Sequence, residues 1–471
     1  MERGTVFVIG AGPAGLFLTR KIASAGYRVV IFNRDIKPGG LAEYGIYPEK
    51  LTMKEGLRRQ FAKTLELPNV SYFGNVPIGD RGALSIEEVE EWNPAAIAFA
   101  VGAQGNRRLG VTGDATRGVY FAKDFVYHYN RLPPFATQDF SVGRRVGIIG
   151  MGNVMVDVAR WLLVDMPGAK PDEVVVIARR GPFEARFDRK EFEEIEQHLD
   201  RAAFHEELRR IKDRLHAVGQ DIEQVATTTF PWLQKPDPGP RHPRLAFRFL
   251  TSPVKMKADG GGRVSQLSVV DNILFYDGRT TRAKSAHQVC EMSFDTLIFA
   301  IGDAADPTLG LPFWKGVYLT SPSADPHSPA YEVYDPRTGR AMPGHYLVGW
   351  ARRASEGVVG KAKLDAERGA DCILRYLENV QPRRTPLAAE LHAELERRHI
   401  HAVTERDAAL LREAERAEAE ARGLTYFRYA TNEEMLASIS RLRDDPSELN
   451  LAVASSRRTV VLPPQPSTSQ I

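Results

Sequence analysis

Cysteine is nearly missing from this chain of 471 residues: there are two, Cys290 and Cys372. They stand at neither metal-ligand nor CxxC spacing. That excludes an iron–sulfur cluster on cysteine ligands and a dithiol redox pair, and no metal site is expected. Long apolar runs are also lacking. No stretch reaches the roughly 18 apolar residues of a membrane helix, so no membrane span is expected. A strong charge of either sign is absent too. The formal charge of +3 is too weak a bias to point to nucleic acid. The opening "MERGTVFVIG" runs straight into a strand and leaves no room for a signal peptide. With so little cysteine, a reducing cytoplasm is the expected compartment.

What is present is an ordinary globular balance, 43% hydrophobic and 26% charged. The length is too great for one comfortable core and implies two or three domains. An electron carrier in such a chain is expected to be an organic cofactor.

The segment "TVFVIGAGPAGLFLTRKI" reads as a buried parallel strand, a glycine turn and an apolar helix, and "YRVVIF" follows as the next strand. Each glycine has a distinct task in a dinucleotide-binding unit. Gly10 allows the tight turn, Gly12 lets a pyrophosphate approach the backbone, and Gly15 lets the helix pack on the sheet. Pro13 and Ala14 complete the turn. At the end of the second strand, where a carboxylate usually holds the ribose, stands Asn33. Its amide can still bond a ribose hydroxyl. Asp35, two residues later, is a second candidate.

A second such unit begins at Arg144. "RRVGIIG" is a strand, Gly150 and Gly152 open the turn, and "NVMVDVARWLL" is the helix. Met155 takes the third glycine position, so the match is looser, but its placement before a periodic helix supports it. The following strand "EVVVI" leads into "ARRGP". Arg179 and Arg180 stand where an acidic residue would select a plain ribose. Two guanidinium groups suit a 2′-phosphate, which favours NADPH over NADH. Two dinucleotide units in one chain suit two dinucleotides that must meet, one resident and one transient.

Further apolar strands run into glycine: "AAIAFAVGAQG" with Gly102, "FDTLIFAIGDA" with Gly302 and Asp303, and "MPGHYLVGW" with Gly349 and Trp350. Ligands bind at such carboxyl ends of parallel strands. Both of the last two compete for a late flavin site, and "GW" is preferred because "ARRASEGVVG" then opens a helix. The N-terminus of that helix near Gly357 favours a reduced, anionic flavin. Residues 184–218 read as mostly helix. "LAFRFLTSPVKMK" and "VSQLSVVDNILF" read as antiparallel strands around "DGGG". Leu387 to about Ala421 reads as one Glu/Arg/Ala-rich helix with a solvated face. "TNEEMLASISRL" reads as a short helix capped by Thr431 with Glu434 three residues on. The last stretch reads as a mobile tail.

The pieces "IGAGPAGLF", "GLAEYGIYPEK", "YFGNVPIG", "GMGNVMVDVAR", "ARRGPFEARFDRKEF", "RFLTSP" and "GWARRASEGVV" occur in order from Thr5 onward. In this the chain resembles the adrenodoxin reductase family, the ferredoxin–NADP reductases of glutathione-reductase type. The tail "VTERDAALLREAERAEAEARG", then "EEML", is similar as well. The resemblance implies an α/β fold with two Rossmann-like dinucleotide-binding domains, for FAD and NADPH, the second inserted in the first, and a helical C-terminal extension. The expected boundaries are 1–107 and 325–380 for the FAD domain, 108–324 for the NADPH domain, 381–441 for the extension and 442–471 for the tail. It further implies hydride transfer from NADPH to FAD, then single-electron transfer to a ferredoxin-type iron–sulfur protein or flavodoxin. Gly10, Gly12 and Gly15 would hold the FAD pyrophosphate. Gly40 and Leu41 would lie beside the flavin, and Trp350, Gly357, Val358 and Val359 over and beside its ring. Gly150, Gly152, Asn153 and Val154 would hold NADPH phosphates. Glu191 matches a family glutamate near the nicotinamide.

Two departures from the family stand out besides Asn33. Lys50 replaces a family histidine that communicates with an aspartate matching Asp157. Ala354 and Ser355 replace a glycine–proline pair. Direct hydride transfer needs no acid–base pair, so Asp157 and Glu191 are read as positioning groups, and Lys50 as a partner of Asp157 that offsets charge on reduced flavin. The departures also motivate an alternative: a flavoenzyme of the same build acting on a small organic substrate or on oxygen. A binding protein with a decayed nucleotide fold is a third reading, supported only by the looser glycine pattern and Asn33. Arg107, Arg108, Arg144, Arg145, Arg352 and Arg353 are candidates for a basic face toward an acidic carrier.

Overall fold

The computed structural model describes residues 4–48, 50–236, 239, 241–322, 330–353, 359–381 and 384–445. The chain forms two units. One holds Met1–Gly105, Asn130–Thr137 and Ala304–Ile471; the other holds Asn106–Tyr129 and Gln138–Asp303.

The first unit is built on a six-stranded sheet. Its order is Glu332–Asp335, Arg340–Leu347, Ala96–Phe99, Thr5–Ile9, Arg28–Phe32, Val70–Phe73. All neighbours are parallel except the hairpin at the first edge. The central strand Thr5–Ile9 is buried along its whole length. That is why it reads as continuous apolar sequence rather than as alternation. The helices Pro13–Ser24, Leu51–Leu65 and Val359–Leu377 cover one face, where Val6, Val8, Leu16 and Ile373 share a core. Phe7, Phe32, Phe99 and Trp92 form the core on the other face.

The second unit is a five-stranded parallel sheet in the order Val119–Phe121, Thr296–Phe299, Arg145–Ile149, Glu173–Ile177, Arg244–Arg248. An antiparallel layer of Thr251–Ala258, Val264–Tyr276 and Thr281–Ser293 accompanies it. The segment "LAFRF" therefore belongs to the parallel sheet, and only the strands after it are antiparallel.

Several expectations shift. The chain re-enters the first unit at Ala304, earlier than the boundary expected near residue 325, because Ala305, Leu309, Leu311 and Tyr318 pack with Phe7 and Phe32. Asn130–Thr137 also joins that unit. The single helix expected from Leu387 is two, Ala388–Arg397 and Glu405–Ala421, with His399 in the left-handed region between them. Thr404 starts the second helix through a capping box with Asp407. Its face is not merely solvated: Ala408, Leu411 and Ala414 enter the core. The helix Asn432–Asp444 has the expected Thr431–Glu434 capping box. No described helix is long and apolar enough to cross a membrane. Of the tail expected at 442–471, residues 442–444 belong to the helix Asn432–Asp444, with Leu442 buried, and 446–471 lie outside the described residues.

Candidate dinucleotide sites

In the first unit the glycine turn is shaped by its neighbours. Gly10 has φ +106°, and a Cβ there would stand 2.7 Å from the carbonyl oxygen of Ala100. A Cβ on Gly15 would collide with the Gly10 carbonyl oxygen. At Gly12 nothing lies within 4 Å of that position. Gly10 and Gly15 thus satisfy the fold, whereas Gly12 leaves open space. Gly12 is also the N-cap of the helix Pro13–Ser24, and no side chain caps it. Free N–H groups at a helix start, with room above them, suit a pyrophosphate.

Other residues expected around the flavin dinucleotide converge on this turn. The Gly39 N–H donates to Ala11 O at 2.8 Å. A Cβ on Gly40, at φ +50°, would stand 3.0 Å from Gly12 Cα, and this close approach sets Leu41 at the start of the short helix Leu41–Tyr44. Gly102, at φ +70°, ends the neighbouring strand. A Cβ on Gly349 would stand 2.5 Å from Ala14 Cβ. The turn Gly349–Trp350 therefore rests on the first helix. Asp365, on the helix Val359–Leu377, accepts from the Gly349 N–H at 2.6 Å and also binds Arg352. The Trp350 Nε1 is buried and has no hydrogen-bond partner among the described residues. A buried donor without a partner costs free energy unless a ligand supplies an acceptor. These residues fit FAD. Val359 is half-buried at the start of its helix; Gly357, Val358, Ala354 and Ser355 lie outside the described residues.

Asn33 has a role the sequence did not suggest. Its Oδ1 accepts from the Ala11 N–H at 2.8 Å. Its Nδ2 donates to Asp35 O at 2.7 Å, with Lys37 O and Tyr72 Oη at 3.2 Å. Both amide hydrogens are engaged, leaving one Oδ1 lone pair for any ribose hydroxyl. Asn33 is a brace beneath the glycine turn.

The second unit repeats the logic. Gly150 has φ +122°, and a Cβ there would stand 2.2 Å from Ala300 O; above Gly152 nothing lies within 4 Å. Gly152 caps the helix Asn153–Arg160 without a side-chain bond. Asn153 Oδ1 accepts from the Asp188 N–H at 2.7 Å, and Val154 is exposed. Met155, at the third glycine position, is fully buried, so this helix start packs with a side chain where the first unit needs none.

After the strand Glu173–Ile177, Arg179 is exposed and Arg180 half-buried. The turn is held by backbone: Asn272 Nδ2 donates to Arg179 O at 2.9 Å and the Leu250 N–H to Arg180 O at 3.2 Å. The inserted antiparallel layer thus fixes the arginines. A third guanidinium, Arg186, was not singled out from the sequence. Its N–H donates to Met151 O at 3.1 Å, which ties it to the second glycine turn. Burial and then the charge of Arg186 push Arg180 below its ordinary pKa. Among the described residues none of the three has a carboxylate partner, whereas Arg144, Arg145, Arg210 and Arg244 do. Uncompensated positive charge beside an open glycine turn suits a phosphate-bearing dinucleotide.

The other candidates divide between the units. Lys50, half-buried, precedes the helix Leu51–Leu65 in the first. Asp157 and Glu191, both half-buried, lie on Asn153–Arg160 and Arg189–Glu193 in the second. Of the basic residues expected to face an acidic carrier, Arg352 is buried against Asp365. Arg108, Arg144 and Arg145 pair with Asp114, Asp172 and Glu173. Arg107 and Arg353 are exposed without a carboxylate partner among the described residues. Those residues hold no group of three or more side chains able to bind a metal.

Two Rossmann-like units, each with its own open glycine turn, define a two-dinucleotide oxidoreductase. The model of the NAD(P)-binding Rossmann-like domain matches residues 8–58. NADPH-ferredoxin reductase FprA of Mycobacterium tuberculosis is 31% identical over 408 residues, covering 80% of this chain and 84% of that protein. The mitochondrial NADPH:adrenodoxin oxidoreductase of Bos taurus is 26% identical over 408 residues, covering 79% of each. The solved structure of Mycobacterium tuberculosis FprA in complex with NADPH superposes with a TM-score of 0.78 at 28% identity, covering 93% of this chain and 99% of that one. The chain belongs to the ferredoxin–NADP reductase family of FprA and adrenodoxin reductase type. It is an NADPH-dependent flavoprotein oxidoreductase.

Proposed function

We propose that the first unit keeps FAD, the second receives NADPH, and the final acceptor is a ferredoxin-type iron–sulfur protein or a flavodoxin. The observation that carries this reading is the pair of glycine turns, one per unit, in which Gly12 and Gly152 leave open space while Gly10 and Gly150 close against the sheet. FAD, when bound, accepts a hydride from NADPH and releases the electrons singly.

The protein's part is to hold, orient and select. The uncapped N–H groups after Gly12 hold the FAD pyrophosphate, and Gly40, Leu41 and Gly102 line the approach. Trp350 supplies a donor from its buried Nε1, and Asp365 fixes the turn that carries it. In the second unit Gly152, Asn153 and Val154 hold the NADPH pyrophosphate. Arg179 and Arg180 grip the 2′-phosphate and so reject NADH. Lys50, Asp157 and Glu191 are positioning groups. The exposed Arg107 and Arg353 are the basic residues left free to meet an acidic carrier.

The test is an anaerobic titration of the purified protein with NADPH and, separately, NADH. Visible flavin bands that bleach at lower NADPH than NADH support the assignment. Cytochrome reduction that rises only when a ferredoxin or flavodoxin is added supports the acceptor. Rapid NADPH oxidation with no mediated transfer overturns the acceptor while leaving the cofactors in place.

A further inference from the structure

Beneath the short helix Leu41–Tyr44, in the first unit, lies a cluster of buried charges. Lys37 donates to both carboxylate oxygens of Glu415 at 2.8 Å. Glu43 accepts from Arg58 at 2.6 and 2.8 Å and from Arg428 at 2.9 Å. Lys54, only 2% exposed, donates to Asn130 Oδ1 at 3.0 Å and has no carboxylate within salt-bridge distance among the described residues. Arg412, half-buried, has none among them either. Two buried carboxylates, Glu43 and Glu415, and the more exposed Glu55, which also pairs with Arg58, thus face four cations, Lys37, Lys54, Arg58 and Arg428, before Arg412 is counted.

A cavity lies among these groups, lined by Lys37, Glu43, Lys54, Leu57, Arg58 and Arg412. Its volume is about 20 Å³, room for one water or one ion of similar size. A buried ammonium whose partner is a single amide oxygen is costly, because two of its three donors are left without an acceptor. Burial first, then Arg428, push Lys54 down to about 6, against the opposing pull of Glu43.

The geometry points to a binding site for one small inorganic anion, of halide size, held in this cavity between Lys54, Arg58 and Arg412. The anion supplies negative charge beside Arg58 and Arg412 and an acceptor for Lys54, whose protonated form it favours. It requires no redox chemistry; the cavity wall also includes Gly39, whose N–H donates to Ala11 O of the first glycine turn, and none of the groups proposed to hold the anion belongs to that turn.

The experiment uses the full chain with its cofactor bound. Thermal unfolding is followed while chloride replaces gluconate at fixed ionic strength, and crystals soaked in bromide are measured for anomalous scattering. A saturable rise in Tm on the order of 3 °C and a bromine peak in the cavity are expected. Arg412→Ala is expected to weaken the chloride dependence and Lys54→Met to abolish it. Where Lys54→Met fails to fold, Arg412→Ala, on a half-buried residue, carries the test. Equal melting in both salts, or bromine peaks only elsewhere, overturns the proposal. Neither result bears on whether the protein binds FAD and NADPH.

Discussion

Asn33 and Ala11 are joined by a hydrogen bond of 2.8 Å from the Ala11 N–H to Asn33 Oδ1. The bond ties the end of the second strand to the first glycine turn. Because Asn33 Nδ2 donates to carbonyl oxygens, an aspartate here would face Asp35 O and Lys37 O with a charge. Asn33→Asp is therefore expected to destabilise the protein by about 1–3 kcal/mol. Restoring the carboxylate common in dinucleotide sites should lower Tm and weaken FAD retention. Thermal unfolding and FAD release measured together check this; a more stable Asn33→Asp protein refutes it.

The glycines divide by what surrounds them. Gly12→Ala and Gly152→Ala place a methyl in open space at negative φ, so the cofactor-free fold should melt within about 0.5 kcal/mol of wild type. FAD binding should nonetheless fail in the first variant and NADPH binding in the second. Gly10→Ala and Gly150→Ala force a side chain onto positive φ and against a carbonyl oxygen. These should lower stability itself. Calorimetry alongside cofactor titration separates the two classes.

Three guanidinium groups without a carboxylate partner among the described residues, those of Arg179, Arg180 and Arg186, predict the coenzyme preference. Arg179→Ala and Arg180→Ala are each expected to raise the KM for NADPH by roughly 10- to 100-fold, with little change for NADH. Arg186→Ala should do the same to a smaller degree. Raising the salt concentration should erode the NADPH preference of the wild type, since these charges lie near the surface. Steady-state kinetics with both coenzymes at two ionic strengths test the set.

Lys54 predicts a pH dependence. Its folded pKa of about 6 lies below its unfolded value, so between these pH values the unfolded chain binds more protons. Stability therefore rises with pH across that window and is lost as pH falls toward 6. The charged groups facing Lys54 are Arg428, Glu43, Arg58 and Lys37. In gluconate buffer the slope contributed by this one group is at most about 1.4 kcal/mol per pH unit. Lys54→Met should flatten it, as read from denaturant unfolding at several pH values.

The two glycine turns were legible because their signals are local: a buried strand, a turn and a helix within one short window. The arginines after the second strand were legible for the same reason. Arg186 was not, because its relation to Met151 comes from a backbone bridge across the fold. The strand Thr281–Ser293 escaped notice because it is exposed at most positions and has no apolar alternation to read. The break between Ala388–Arg397 and Glu405–Ala421 hid in a composition that is helical on both sides. Arg352 looked like a surface charge because nothing nearby in sequence announces Asp365. The charge cluster is the extreme case: Lys37 meets Glu415 across 378 positions.

That separation bears on how the protein is made. An emerging chain contains the first glycine turn, Lys37 and Glu43 early in synthesis. Glu415, which pairs with Lys37, and Arg428, which joins Arg58 on Glu43, follow 378 and 385 positions later. Until then the floor beneath Leu41 lacks the Lys37–Glu415 pair. The floor therefore closes only after the helix Glu405–Ala421 has been made.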